Sequence, residues 1–252
     1  KIYTIYCLIL NHFKFIFIKK NFTMHASNLT IVIPAKEEKE SLPFVLKELE
    51  NYEFKKKVVV DQNDRETIIE AEKFPDVEIF YQKKSGVGSA IKEGVESCTT
   101  SHFCILMADG STDSKYLQEK LNKSLDENLD FVFSSRYKDN KSGSDDDTII
   151  TSIGNFFFTK ISNILFKLGL TDILFNYVLG KTNSFRGLKL QSIDHRICVE
   201  LPVKAKIKNM AYASISSFER KRFGGKKKVN ALIDGYLILT EIIKLFLNKK
   251  NF

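Results

Sequence analysis

At 252 residues, with 43% hydrophobic and 28% charged side chains, the chain can build one sizeable α/β domain and is too apolar to be disordered throughout. Its 39 Lys and Arg against 31 Asp and Glu leave a formal charge of +8, which favours anionic partners: phosphorylated small molecules, acidic lipid headgroups or nucleic acid. The four cysteines, Cys7, Cys98, Cys104 and Cys198, make no CxxC pair and have no histidine at metal-ligand spacing, so they read as reduced thiols without a zinc or catalytic role.

The first 23 residues stand apart, dominated by Lys, Ile, Phe, Tyr and Asn. Their apolar part, residues 5–18, is interrupted by Asn11, His12 and Lys14, too short and broken for a spanning helix. Met24 follows. The expectation is a non-native or disordered leader over 1–23, a main domain over 24–230, and a C-terminal amphipathic helix with a basic tail over 231–252.

From Leu29 onward, short apolar runs alternate with helical patterns. Leu29–Ile33 reads as a strand ended by Pro34, and Glu40–Asn51 as a helix with Leu42, Val45, Leu46 and Leu49 on one face. Strands are expected at Val58–Val60, Val77–Tyr81, His102–Met107 and Asp130–Ser134. Helices are expected near 66–73, Gly88–Ser97 and Tyr116–Leu125 between them. Continuous apolar strands separated by helices predict βαβ units, hence a mostly parallel sheet with helices on both faces. Ligands of such sheets sit beyond the carboxyl ends of the strands, which here carry Glu37 and Glu38, Asp61, Ser85 and Gly86, Asp109 and Arg136. Residues 138–148 read as a mobile polar loop. Ile153–Leu170 and Ala231–Leu247 read as amphipathic helices, which lie in a bilayer interface or pack on the protein's own core or a membrane-protein partner.

Carboxylates at a strand end suit Mg²⁺ or Mn²⁺ beside a phosphate, which makes Asp109 and Asp113 candidate metal ligands; a simple Asx/Gly turn explains them as well. Gly86 and Gly88 precede a helix, where free amides can face an anion or merely allow a tight turn. Arg136 and Arg186 are of the type that grips phosphates, or they are salt-bridge partners. Arg220–Lys228 is the densest positive run. It lacks a reader motif or aromatic platform, so nucleic acid is not the expected partner.

In order and spacing these segments resemble glycosyltransferase family 2, specifically its dolichyl-phosphate mannosyltransferase-like branch, over roughly residues 29–248. The matching segments are Ile31–Glu38 (IVIPAKEE), Val58–Asp61, Ser85–Ala90 continuing to Gly94, Met107–Ser111 (MADGS), Phe133–Tyr137 (FSSRY), Thr182–Arg186 (TNSFR) and Phe223–Lys227 (FGGKK). The resemblance implies a GT-A fold and an inverting transfer of a sugar from a nucleotide-sugar donor, with Mg²⁺ or Mn²⁺. The acceptor would be a polyprenyl phosphate, or alternatively a glycan hydroxyl; a degenerate, non-catalytic binder is the third reading. Pro34, Ala35, Glu38, Asp61, Gly86 and Gly88 would form the donor pocket, with Lys227 at the leaving diphosphate. Asp109, with Asp113, would hold the metal. Arg136 and Ser152 would hold the acceptor phosphate, with Arg186 in the same pocket, so that Asp109, Arg136 and Arg186 carry the reaction. The implied location is cytoplasmic, at the inner membrane surface. Five positions depart from the family pattern: Met107 replaces the first metal carboxylate, Gln62 and Gly180 replace aspartates, Lys221 stands where an arginine is usual, and Thr148 replaces a basic residue.

Overall fold

The structure, a computed structural model, describes residues 28–225 and 230–250; the leader expected over 1–23 and Lys227 lie outside the described residues. The first half runs β1 (Leu29–Pro34), α1 (Leu42–Leu49), β2 (Lys55–Val60), α2 (Arg65–Glu72), β3 (Val77–Tyr81), α3 (Val87–Glu96), β4 (His102–Ile105), α4 (Leu117–Asp126) and β5 (Phe131–Ser135). The second half adds β6 (Gly143–Ser144), α5 (Ile149–Phe166), β7 (Val178–Lys181), α6 (Thr182–Leu188), α7 (Ile197–Ile207), β8 (Tyr212–Ser216), β9 (Phe218–Glu219) and α8 (Ala231–Leu247).

Seven strands form one sheet in the order β3-β2-β1-β4-β7-β5-β8, and β6 pairs separately with β9. Only β7 runs antiparallel to its neighbours; the other pairings in the large sheet are parallel. This is the expected mostly parallel α/β architecture. The chain leaves β1 towards β2 on one side and returns to β4 on the other, so a crevice opens at the carboxyl ends of β1 and β4.

β1 is buried at every position, as a strand covered on both faces must be. Its alternate residues feed two cores. Ile31 and Ile33 pack with Val58, Leu42, Leu46, Leu117 and Leu121, while Val32 joins Val59, Ile91, Phe103 and Ile105 on the other face. Ile238, Ile242 and Leu245 of α8 enter that second core, so one side of the C-terminal helix is part of the domain's packing. Cys98, Cys104 and Cys198 are buried and unpaired; burial pushes the Cys104 thiol up to about 11 and that of Cys198 up to about 12.

Two segments differ from expectation. The helix expected at Ile153–Leu170 is shifted towards the N-terminus, because Thr148 and Thr151 form a reciprocal cap and Lys167 turns left-handed (φ 56°) to end it. The polar stretch 138–148, expected to be mobile, is pinned instead. It contributes β6, and the Ser144 hydroxyl donates to Glu219 at 2.6 Å.

Gly94 lies where α3 crosses the sheet, and a Cβ there would stand 2.6 Å from a Val32 methyl and 2.7 Å from a Val59 methyl. Gly94→Val is expected to lower stability by about 1–3 kcal/mol through overpacking, measured by urea unfolding. An unchanged midpoint would mean that α3 sits further from the sheet.

Candidate active site

A cleft of about 300 Å³ opens at the carboxyl ends of β1 and β4. Pro34 and Ala35 form its floor, Glu38 and Asp109 its acidic side, Gly86 a wall, and Arg222 its roof. Ala35 continues the strand pairing by donating its amide to Val59 O at 2.9 Å. Glu37 then takes a left-handed turn (φ 52°) and is held by Asp64, while the Glu38 amide donates to Thr67 Oγ1 at 2.9 Å. The Ser41 hydroxyl donates to Glu38 Oε2 at 2.6 Å, which aims the carboxylate at the cleft.

The opposite wall is made by residues 192–195 pressed against the start of α3. Gly86 (φ 109°) lies against Ile193 O and Gly88 against Ser192 O and Asp194 O; a Cβ would come within 2.1 Å and 2.7 Å respectively. These two glycines serve a close backbone approach. The Ser89 amide, which a free helix N-terminus would offer to an anion, donates to Ile193 O at 3.2 Å. Buried Glu200 fixes the facing loop by accepting from the amides of Gln191 and Ser192, and it pairs with buried Lys204 at 2.7 Å. Asp194 and His195 then line the cleft. Hydrogen bonds from Arg196 hold the Asp194 carboxyl below its usual range.

Asp109 Oδ1 accepts from the amide and hydroxyl of Ser111 at 3.0 and 2.8 Å, leaving Oδ2 facing Arg222 Nη2 at 3.0 Å. Arg222 Nη1 lies 3.7 Å from Glu38 Oε1. Two carboxylates from separate loops thus converge on one cation. Mg²⁺ is commonly held by one or two carboxylates plus substrate phosphates, so the pair Glu38–Asp109 fits such an ion. Among the described residues there is no cluster of three or more His, Cys, Asp or Glu able to hold a metal.

The other expected site residues fall elsewhere. Asp113 does not line the cleft: its Oδ1 caps the 3-10 turn through the Lys115 amide, and its Oδ2 pairs with the Lys115 ammonium at 2.8 Å. Asp61, expected in the donor pocket, does not line the cleft; its Oδ1 closes an Asx turn by accepting from the amide and side chain of Asn63. Arg186 corrects the expectation of a shared pocket. It donates to Glu96 O at 2.8 Å and Cys98 O at 2.6 Å, capping the far end of α3, where a cation is favoured.

Arg136 is buried among three carboxylates. Its Nε and Nη2 grip Asp172 at 2.7 and 3.0 Å, and its Nη1 meets Glu219 at 2.9 Å and Asp147 at 3.3 Å. Burial opposes its charge, and the carboxylates, Asp172 foremost, more than offset that, so it stays cationic. The Tyr137 hydroxyl donates to Asp147 and lies 3.1 Å from Ser152 Oγ, which places Arg136 and Ser152 on one polar cluster at the start of α5. Arg222, Asp194 and His195 were not singled out from the sequence. The first is one of several cations in a basic run, and the others sit in a loop without periodicity.

With this geometry in hand, comparison with known proteins gives the class. The family model described as glycosyl transferase family 2 matches residues 30–195, and the chain belongs to that family. The fold is GT-A-like. It is similar to glucosyl-3-phosphoglycerate synthase from Mycobacterium tuberculosis, solved with Mn²⁺, uridine diphosphate and glucosyl-3-phosphoglycerate, with a TM-score of 0.65 at 12% identity over 86% of this chain and 79% of that one. An uncharacterised glycosyltransferase of Mycobacterium bovis is 32% identical over 114 residues, 45% of this chain and 50% of the relative. The chain therefore spans about half the length of the mycobacterial relatives it matches. Glycosyltransferase AglJ of Haloferax volcanii is 23% identical over 218 residues, 85% of this chain and 70% of the relative.

The two arginines read from the sequence should separate in a stability experiment. Arg136→Ala strands the buried Asp172 and the part-buried Asp147 and Glu219, and is expected to cost about 3–5 kcal/mol in urea unfolding. Arg186→Ala loses a helix-end contact and should cost about 1 kcal/mol or less. Equal, small losses would contradict the structural role given to Arg136.

Proposed function

We propose that the protein is an inverting glycosyltransferase that moves a sugar from a nucleotide-sugar donor to a polyprenyl phosphate held in the membrane. The family supports the transfer itself. The observation that carries the acceptor reading is the juxtaposition at the start of α5. The Arg136–Tyr137–Ser152 cluster adjoins a helix face on which Ile149, Ile150 and Ile153 are 80%, 69% and 63% exposed. An acceptor with an anionic head and an apolar tail matches both features. Asp147 now occupies the point where the Arg136 guanidinium and the Tyr137 hydroxyl converge, and an acceptor phosphate would take its place.

The apolar face continues along Phe156, Phe157 and Ile164 of α5 and Leu232, Ile233 and Tyr236 of α8, all exposed. α5 is apolar enough by length and composition to cross a membrane, yet only 22% of it is buried inside the protein. With α8 packed along it, the pair forms a surface that lies in the bilayer interface, apolar side down. The proposed location is the inner face of the membrane. The excess of cations adds attraction to acidic lipid, on the order of 1 kcal/mol for each one close to the surface.

In the donor cleft, a nucleoside diphosphate is flanked by Pro34, Ala35, Glu38 and the Gly86 wall. Mg²⁺ or Mn²⁺ held by Asp109 and Glu38 would neutralise charge on the leaving diphosphate. An acceptor phosphate oxygen forms the new bond to the anomeric carbon from the face opposite the diphosphate. The old carbon–oxygen bond breaks with its electron pair on the diphosphate, and the configuration inverts. The phosphate oxygen is already anionic, so no general base is needed, whereas an alcohol acceptor would require one.

The test is to incubate the full chain with vesicles of acidic lipid containing polyprenyl phosphate and a panel of radiolabelled nucleotide sugars. Label should enter a solvent-extractable, mild-acid-labile lipid product. Ser152→Ala should lower kcat/KM for the lipid about ten-fold, as expected when about 1.4 kcal/mol of phosphate binding is lost. Ile150→Ser with Phe157→Ser should release the protein from vesicles without unfolding it. Label found only in a water-soluble glycan would move the assignment to a hydroxyl acceptor.

A further inference from the structure

The roof of the donor cleft is a strap built from residues 217–225, and it is bound to both acid-bearing loops. The Arg220 amide donates to Ser111 O at 2.8 Å and the Phe223 amide to Asp109 O at 2.9 Å. Glu219 bridges to Thr112, and the Arg220 guanidinium forks onto Glu48 at 2.6 and 2.8 Å. Phe223 stacks on Phe44 with ring centres 4.3 Å apart. Gly225 lies close against Glu38, where a Cβ would stand 2.9 Å from Oε2. The strap thereby delivers Arg222 to Asp109 Oδ2 at 3.0 Å and towards Glu38 Oε1 at 3.7 Å.

We propose that Arg222 is a tethered cation holding the position that a divalent ion takes on Asp109 and Glu38, and that metal binding displaces it. The inference rests on reading the cleft as a nucleotide-sugar site. Asp109 Oδ1 is committed to Ser111, so Oδ2 is the oxygen left for a cation, and a guanidinium at 3.0 Å and a metal ion cannot share it. Beyond Glu38 and Asp109, the carboxylates that line the cleft among the described residues are Glu37 and Asp194. Met107 lines the cleft without an oxygen, Asp113 is engaged by Lys115, and Asp194 is engaged by Arg196. The guanidinium carries one charge and the ion two, so the exchange is driven most strongly when a diphosphate arrives with the metal. Arg222, once released, remains tethered beside the cleft and is of the type that binds phosphate oxygens in pairs. It is a positioning residue that links metal entry to the seating of the strap.

Two measurements test this without sugar, acceptor or turnover. The first is Mn²⁺ binding by electron paramagnetic resonance. Arg222→Gln should bind Mn²⁺ at least ten-fold more tightly than the unaltered chain, and adding Asp109→Asn should abolish the gain. The second uses the fact that the chain contains no tryptophan. Phe223→Trp places a single tryptophan on Phe44, and saturating Mg²⁺ should shift its emission, excited selectively beyond the tyrosine band, to the red as the strap lifts. Mn²⁺ affinities within two-fold of each other, or Trp emission unmoved at saturating Mg²⁺, would overturn the proposal. If Arg222→Gln fails to fold, the fluorescence measurement alone decides. Failure of the acceptor assay would overturn the lipid acceptor and leave the Mn²⁺ and fluorescence outcomes untouched, so the two proposals fail separately.

Discussion

The run of backbone hydrogen bonds made by residues 217–223 is the constraint on which both halves of the site depend. Ser217 donates to Ser135 O at 2.9 Å and accepts from Gly143 at 3.3 Å, Glu219 accepts from Asp145 at 2.9 Å, and Arg220 and Phe223 donate to Ser111 and Asp109. One extended segment thus stitches the end of β5 to the 143–147 loop and to the loop after β4. Extended backbone sends successive side chains to opposite sides. Glu219 accordingly reaches Arg136 in the cluster proposed to take the acceptor, while Arg220 turns to Glu48 and Phe44. The charges of the two half-sites are coupled by a strip of main chain.

The fold was legible in the sequence because strands covered on both faces carry apolar runs, and Ile31–Ile33, Val58–Val60 and Phe103–Ile105 are such runs; β2 begins three residues before its run, at Lys55, where lysines hide the strand. The later strands were harder to see. β7 (VLGK) is four residues long and contains Gly180, where a Cβ would stand 2.5 Å from the Phe131 ring and 3.0 Å from Phe103, so only Val178 and Leu179 are left as its apolar signal. No carboxylate fits between the rings at that position. β8 and β9 are half-buried, and their pattern is correspondingly weak.

The site was legible in part, for a related reason. Pro34, Ala35, Glu38, Gly86 and Asp109 line the cleft because they stand at or just beyond strand ends, a position that topology alone makes polar and accessible. Arg186 and Asp113 carry the right chemistry at plausible positions, but each is captured by a local partner: helix-end carbonyls for one, Lys115 for the other. Such capture depends on side-chain direction, which spacing does not encode. Gly88 was expected to face the donor; in the structure the backbone it admits is that of Ser192 and Asp194.

In the proposed site the donor diphosphate lies between Pro34–Ala35 and residues 192–195, with its metal on Asp109 and Glu38. The most direct measurement is a crystal structure of the full chain with a nucleoside diphosphate and Mn²⁺, the ion located by anomalous scattering. The account predicts a manganese peak against Asp109 and Glu38, the diphosphate beside it, and Arg222 moved off Asp109. A diphosphate bound outside this cleft, or a manganese peak at Asp113 with Arg222 still on Asp109, would contradict it.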